Sequence, residues 1–453
     1  MPEHRLYDHG ADRNRMPSMQ RTNAQPIGMQ SMRRERTCFG FLPGHGGLVT
    51  VNEYRQDFPT LRGPRAPAYL DNACVTLRPD EVIDAIHRYY TETPGCGGRS
   101  VHRYGTAVSK AVHIARQRTA EFINAFSRKE LVFTRNATHS INQIAKGLTW
   151  EMGDVVLTSD REHNSNLVPW LQLEQECGVD HRIVESNPDN SFNLEAFEQA
   201  CADANGRLKM VAMSHVGNLD GVKIPIKEVT KIAHDHGALV AVDGAQSTPH
   251  MKVDVQDLDI DFLSFSIHKM CGPSGMGGLW GREELLNQLR PIQAGGQTVT
   301  STTYESMEWG ETPSRFEGGL GHFSGMAATG AAIDYLARFN MDDLQAHEVR
   351  LNRIMTDGVK DLPGLSIIGP EDPRQRGGIC SILMDELPAH DVALLLDEAA
   401  GVMVRSGQHC VHSWFAARGH PQGSLRASAY LYNNDEDVRL FVDTLTEIVH
   451  TLS

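Results

Sequence analysis

The feature that most restricts the fold of this chain is a series of short runs, several of them apolar from end to end, separated by longer stretches with apolar residues at helical spacing. The runs are Leu131–Thr134, Val155–Thr158, Arg182–Val184, Met210–Ser214, Leu239–Val242 and Phe262–Ser266. A strand covered on one face alternates apolar and polar residues, whereas one that is apolar throughout is covered on both. The helical patterns between the runs supply the covers, so this part of the chain predicts βαβ units and a mainly parallel sheet. The first helix is expected just after Pro79, where Val82, Ile83, Ile86, Tyr89 and Tyr90 share one face.

Near Gly330 the pattern changes. A long helical stretch leads to strands near Leu365–Ile368 and Ile379–Met384, a helix at Asp391–Ala400, a strand at Val402–Arg405 and a closing helix from Asp435 to Leu452. That succession predicts a smaller α+β domain, and 453 residues are enough to bury more than one core. The expected organisation is a disordered tail over 1–48, a segment over 49–68 packing with the small domain, a large domain over 69–329 and the small domain over 330–453. The tail has no sustained apolar period. It is Arg-rich, but Glu3, Asp8, Asp12 and Glu35 argue against an organelle transit peptide.

Composition removes several classes of function. Lys and Arg number 43 against 57 Asp and Glu, and a net charge of −14 leaves no footprint for nucleic acid. No run approaches the roughly 20 apolar residues of a membrane span, so a cytoplasmic protein acting on a small molecule is expected. The eight cysteines contain no C-x-x-C pair, and no metal site is expected.

Chemistry enters where strands end. Leu239-Val-Ala-Val-Asp-Gly-Ala-Gln246 and Asp261-Phe-Leu-Ser-Phe-Ser-Ile-His-Lys269 each run from an apolar strand into a polar cluster. Open α/β sheets bind ligands beyond the carboxyl ends of their strands, which would bring Asp243, Gln246, Ser266, His268 and Lys269 to one cleft. A lysine there can form an imine with an aldehyde cofactor, and a neighbouring carboxylate can hold a protonated pyridine nitrogen. Those are the two groups pyridoxal phosphate (PLP) requires. Singly, a lysine near a strand end is usually a solvated charge and an aspartate before glycine a turn former; the ordered pair is more specific than either.

The segments Tyr69-Leu-Asp-Asn-Ala73, Phe133-Thr-Arg-Asn-Ala-Thr138, Glu162-His-Asn-Ser-Asn-Leu-Val-Pro-Trp170, Val242-Asp-Gly-Ala-Gln246 and Ser266-Ile-His-Lys269 resemble class V aminotransferase-fold enzymes, most closely the SUF-type cysteine desulfurases and selenocysteine lyases. The resemblance implies a PLP-dependent transferase of fold type I, working as a homodimer. It implies that Lys269 carries the cofactor as a Schiff base, Asp243 holds the ring nitrogen, Gln246 bonds the phenolic oxygen and His163 stacks on the ring. Thr138, Ser266 and His268 would hold the phosphate beside Ala137, helped by the start of the helix there. Asn218 would lie near cofactor and substrate, and His268 could assist proton transfer.

The same resemblance extends to Val404-Arg-Ser-Gly-Gln-His-Cys410 and to Arg426 in Ser424-Leu-Arg-Ala-Ser428. It implies that Cys410 takes sulfur from L-cysteine or a close analogue as a persulfide, for delivery to an acceptor protein. Arg426 would bind the substrate carboxylate through its forked donors, His102 and Arg103 would line the substrate site, and His409 and Arg405 would favour the thiolate of Cys410. The chain departs from the pattern at three places. Leu320 stands where a threonine would reach the partner subunit's phosphate, leaving Ser324 or a backbone N–H to replace it. Arg135-Asn-Ala-Thr-His139 keeps only Thr138 as a phosphate ligand. Pro94-Gly-Cys-Gly-Gly98 offers Cys96 as a candidate second thiol. Selenocysteine lyase, C–S lyase and epimerase chemistry stay open beside desulfuration, as does a scaffold that keeps the fold; an epimerase has no use for Cys410, and a scaffold none for Lys269.

Overall fold

Successive residues of a strand point to opposite faces, and here both faces are buried. The computed structural model describes residues 54–452; the tail expected over 1–48, and 49–53 of the next segment, lie outside the described residues. In chain order the first part contains β1 (Ala68–Tyr69), α1 (Asp80–Glu92), α2 (Arg103–Phe122), β2 (Leu131–Thr134), α3 (Ala137–Gly147), β3 (Val155–Ser159), α4 (Asn164–Cys177), β4 (Asp180–Val184), α5 (Leu194–Asp203), β5 (Leu208–Ser214), α6 (Ile226–Asp235), β6 (Leu239–Asp243), β7 (Phe262–Ser266) and β8 (Gly277–Gly281). Every strand expected in this part forms. They make a seven-stranded sheet in the order β2-β8-β7-β6-β5-β3-β4. From β7 to β4 all neighbours are parallel, and β8 is antiparallel to both β2 and β7. Leu157, Val211, Met213, Val240, Val242, Leu263 and Phe265 pack into one core. Their neighbours Val156, Met210, Ala212, Ala241 and Phe262 pack into another on the opposite face.

Strand β8 escapes the sequence pattern because it reads Gly-Gly-Leu-Trp-Gly. Its glycines are packing devices: a Cβ on Gly278 would come within 2.2 Å of the Phe265 ring, and one on Gly277 within 2.5 Å of the Asn136 backbone. The first turn of α3 can therefore lie directly against the sheet.

An exposed hairpin follows, β9 (Val299–Thr302) and β10 (Met307–Trp309). The helical pattern expected from Gly330 is two helices, α7 (Phe323–Leu336) and α8 (Met341–Val359). The expected boundary at 329/330 falls inside α7, which packs on α1 and α2. The remainder contains β11 (Leu365–Ile367), β12 (Ile379–Met384), α9 (Ala389–Ala400), β13 (Val402–Met403), β14 (Arg405–Gly407), a short helix at His412–Ala417, β15 (Ser424–Ser428) and α10 (Asp435–Leu452).

A four-stranded antiparallel sheet runs β11-β12-β15-β14, and Cys380, Ile382, Leu425 and Ala427 pack there with Leu351, Met355, Phe441 and Leu445. The single strand expected at Val402–Arg405 is corrected to two, because the chain changes partner within it. Val402–Met403 bonds to Ala68–Tyr69 of β1, while Arg405–Gly407 bonds to β15. The N-terminal segment is held at the same place: Arg55 pairs with Asp437 at 2.7 Å, and Phe58 packs on Tyr432. Among the described residues no helix is long and apolar enough to cross a membrane.

Candidate active site

Three parallel strands end together and each delivers a polar group: Ser214 on β5, Asp243 on β6 and Ser266 on β7. Asp243 is buried and accepts a 2.9 Å hydrogen bond from the Ala245 N–H. Burial raises its pKa, opposed by that bond and by the nearby Lys269. Lys269 ends the short turn after β7; it is half-buried by surface area yet enclosed by protein on most sides. Burial lowers its pKa; the Asp243 carboxylate opposes the shift and Arg426 adds to it. Gln246 is buried and donates to the Ala73 carbonyl at 2.7 Å, while its Oε1 has no partner among the described residues.

Two helix starts meet beside this group. Asn136 caps α3 and His163 caps α4, its Nδ1 accepting the Ser165 N–H at 3.0 Å. Thr138 and Ser165, one on each first turn, share a 2.6 Å hydroxyl contact, and the Ala137 N–H donates to Ser266 Oγ at 3.0 Å. N–H donors and hydroxyls at the positive ends of two helices make a place for an anion. Burial lowers the His163 pKa to about 3, with the cations Lys269, Arg426 and Arg405 pushing the same way. Its ring is neutral at pH 7.

Opposite lies a second group built on the small sheet. Arg405 on β14 and Arg426 on β15 are direct cross-strand partners. Two like charges in that position repel, so the pair is stable only with anions between or beside them. Asp71, in the turn after β1, supplies one, and the sulfur of Cys74 in the same turn accepts from Arg405. Arg426 reaches Asp71 Oδ1 at 3.4 Å and the Asn218 carbonyl at 2.8 Å, and Arg405 donates to Cys74 Sγ at 2.8 Å. Arg426 is 2 % exposed, and its burial lowers its pKa.

His409 and Cys410 follow β14, and both have left-handed backbones, φ +48° and +59°. For residues other than glycine that conformation costs of order 1–3 kcal/mol each. It is held by two bonds: Asn218 Nδ2 donates to the His409 carbonyl and the Asn164 N–H to the Cys410 carbonyl, both at 2.8 Å. Cys410 is half-buried.

Comparison with known proteins follows from this geometry. The family model described as aminotransferase class-V matches residues 68–441. A probable cysteine desulfurase of Halalkalibacterium halodurans is 36% identical over 399 residues, covering 86% of this chain and 96% of its own. The cysteine desulfurase of Haloferax volcanii is 36% identical over 406 residues, covering 88% and 92%. The apo structure of the cysteine desulfurase from Thermococcus onnurineus NA1 superposes with a TM-score of 0.83 at 33% identity, covering 88% of this chain and 98% of that one. The chain belongs to the class-V aminotransferase family.

The cleft of this class-V family member fits pyridoxal phosphate. Lys269 would hold the aldehyde carbon and Asp243 the ring nitrogen, the neutral His163 ring suits a stacking partner, and the α3 and α4 starts with Thr138, Ser165 and Ser266 suit the phosphate. Gln246 Oε1, Arg426 Nε and His409 Nδ1 are buried polar atoms without partners among the described residues, as expected where a polar ligand completes the site. His268 is neutral at pH 7, its pKa lowered to about 4 by burial and by Lys269. Its carbonyl accepts from Thr76 Oγ1 at 3.1 Å.

Several residues singled out in the sequence have other contacts within this chain. His409 does not charge Cys410: it is 4 % exposed, its Nε2 meets Ser424 Oγ at 2.9 Å, and burial lowers its pKa to about 2. Arg405 is bonded to Cys74 instead. Ser324 is buried at the start of α7 and donates to the Tyr90 hydroxyl at 3.3 Å; Leu320 is exposed. His102 and Arg103 are exposed at the start of α2, where His102 caps the helix and Arg103 lies over the Tyr104 ring. Cys96 bonds the Gly97 carbonyl at 3.6 Å and packs on the large core.

Sequence reasoning missed Asp71, Cys74 and the role of Glu162. The buried Glu162 carboxylate accepts from Ser159 Oγ at 2.5 Å, Asn166 Nδ2 at 2.7 Å and the Ser214 N–H at 3.0 Å. It thus ties β3, α4 and β5 together next to His163, and burial raises its pKa to about 7.

His215, whose N–H bonds the Asp243 carbonyl, is 2 % exposed with its pKa lowered to about 3 by burial. A histidine with a depressed native pKa binds its proton more readily when unfolded, so its contribution to stability is present above the unfolded pKa of about 6.5 and lost as pH falls below it. At pH 5 that loss is about 2 kcal/mol. Urea denaturation at pH 7 and pH 5 will show His215→Asn losing about 2 kcal/mol less than wild type over that interval.

Proposed function

We propose that this class-V family member is a PLP-dependent cysteine desulfurase that converts L-cysteine to L-alanine and leaves the sulfur as a persulfide on Cys410. The observation that carries the reading is the Cys410 loop. A pair of non-glycine residues, His409 and Cys410, is held in the left-handed region by Asn218 and Asn164. Transamination and epimerisation need no thiol there. Sequence relatives named cysteine desulfurase support the same reading.

Bound in the cleft, pyridoxal phosphate supplies an electron sink for the carbons beside the substrate's amino group. The substrate carboxylate exchanges for Asp71 on Arg426, whose buried guanidinium offers two parallel donors. Burial favours the neutral amine of Lys269, so Nζ can accept and return a proton. Cys410 Sγ, as thiolate, attacks the substrate sulfur; an S–S bond forms as the C–S bond breaks, and the electron pair stays on carbon, which takes a proton to give alanine. A thiol on an acceptor protein is the chemical match for the persulfide. A homodimer belongs to the same proposal and rests on the family resemblance.

The test is product analysis with L-cysteine and L-selenocysteine. Alanine and sulfide from cysteine are expected; selenide release without sulfide release would make the chain a selenocysteine lyase. Arg426→Lys keeps a charge but loses the fork, and is expected to raise KM for cysteine by about tenfold to a hundredfold, read from initial rates.

A further inference from the structure

We propose that Cys74 is a second sulfur-handling thiol of this cleft, receiving by thiol–persulfide exchange the sulfur that Cys410 removes from the substrate. The proposal rests on the persulfide reading of Cys410. The turn that carries Cys74 is fixed in the site from three sides. Gln246 donates to the carbonyl of Ala73 at 2.7 Å, Arg426 reaches Asp71, and the Ala73 N–H donates to Ser428 Oγ at 2.9 Å. Cys74 is half-buried, and its sulfur accepts from Arg405, a residue of the same strand-to-loop segment as Cys410.

Asn218 joins the two loops: its side chain donates to the His409 carbonyl at 2.8 Å, and its own carbonyl accepts from Arg426, which reaches Asp71. Arg405 contacts the Cys74 sulfur, and its cross-strand partner Arg426 holds Asp71, three residues before Cys74; the attacking form of a thiol is the anion. Gln246 Oε1 and Arg426 Nε, on side chains that bond Ala73 and Asp71 of this turn, have no partner among the described residues.

In the exchange Cys74 thiolate attacks the outer sulfur of the Cys410 persulfide. A new S–S bond forms on Cys74, the bond between Cys410 Sγ and that outer sulfur breaks, and Cys410 leaves with the electron pair as a thiolate. The proton on the transferred sulfur stays with it, and no oxidant or reductant is consumed. The persulfide ends beside Arg405, and Cys410 is free for a second substrate.

The experiment gives holoenzyme one equivalent of L-cysteine, quenches with iodoacetamide over a time course and maps peptides by mass spectrometry without reductant. The expected result is persulfide first on the Cys410 peptide and then on the Cys74 peptide. In Cys74→Ser the Cys410 persulfide persists at least about threefold longer. In Cys410→Ser neither peptide carries sulfur. Persulfide confined to Cys410 in wild type overturns the relay and leaves the desulfurase reading standing, and a Cys74–Cys410 disulfide with sulfide release also overturns it. Persulfide on Cys74 in Cys410→Ser overturns the relay and the reading of Cys410 together.

Discussion

Lys269→Ala will be isolated without the visible absorbance of a protein-bound imine, and its turnover of cysteine will fall by at least about ten-thousandfold. The size of the effect follows from position. Lys269 stands where β7 ends, beside Asp243 at the end of β6, and burial shifts its equilibrium toward the neutral amine that condenses with an aldehyde. Thr138, Ser165 and Asp243 can still bind the cofactor, so the variant should retain PLP loosely while losing the covalent hold. Borohydride reduction of wild type followed by peptide mapping checks the assignment. Cofactor mass fixed on another lysine, with Lys269 unmodified, would refute it.

Cys410→Ala separates binding from sulfur chemistry. Alanine cannot attack sulfur, whereas Arg426 and Lys269 are untouched, so kcat for sulfide formation should drop by about a thousandfold or more with KM for cysteine changed little. The cofactor absorbance should remain. A rate close to wild type would defeat the desulfurase reading and favour a C–S lyase, which needs no thiol of its own.

Parts of this site were legible in the linear chain. Asp243 and Lys269 each follow an apolar run that forms a strand, and strand ends of parallel sheets are where ligands bind. Thr138 and His163 sit at helix starts that capping residues mark locally. Other parts were hidden. The quoted run Tyr69–Ala73 stops one position short of Cys74, and no local pattern marks that thiol because Arg405 is 331 positions away. Strand β8 was concealed by its glycines, and β15 by the arginine and serines that its tertiary partners satisfy. His409 looked like a charge near Cys410, and burial makes it neutral.

The alternation of parallel strands and helices in the large sheet, its covering on both faces and the lysine–aspartate pair were written in the sequence, because apolar period and strand ends are properties of a few adjacent residues. The opposition of Arg405 and Arg426, the contacts of Asp71 and Cys74 that answer it, and the protonation of His163 and His409 were decided only in the folded molecule. Cross-strand register joins segments far apart in the chain, and the loss of water around a titratable group sums over every element packed on it.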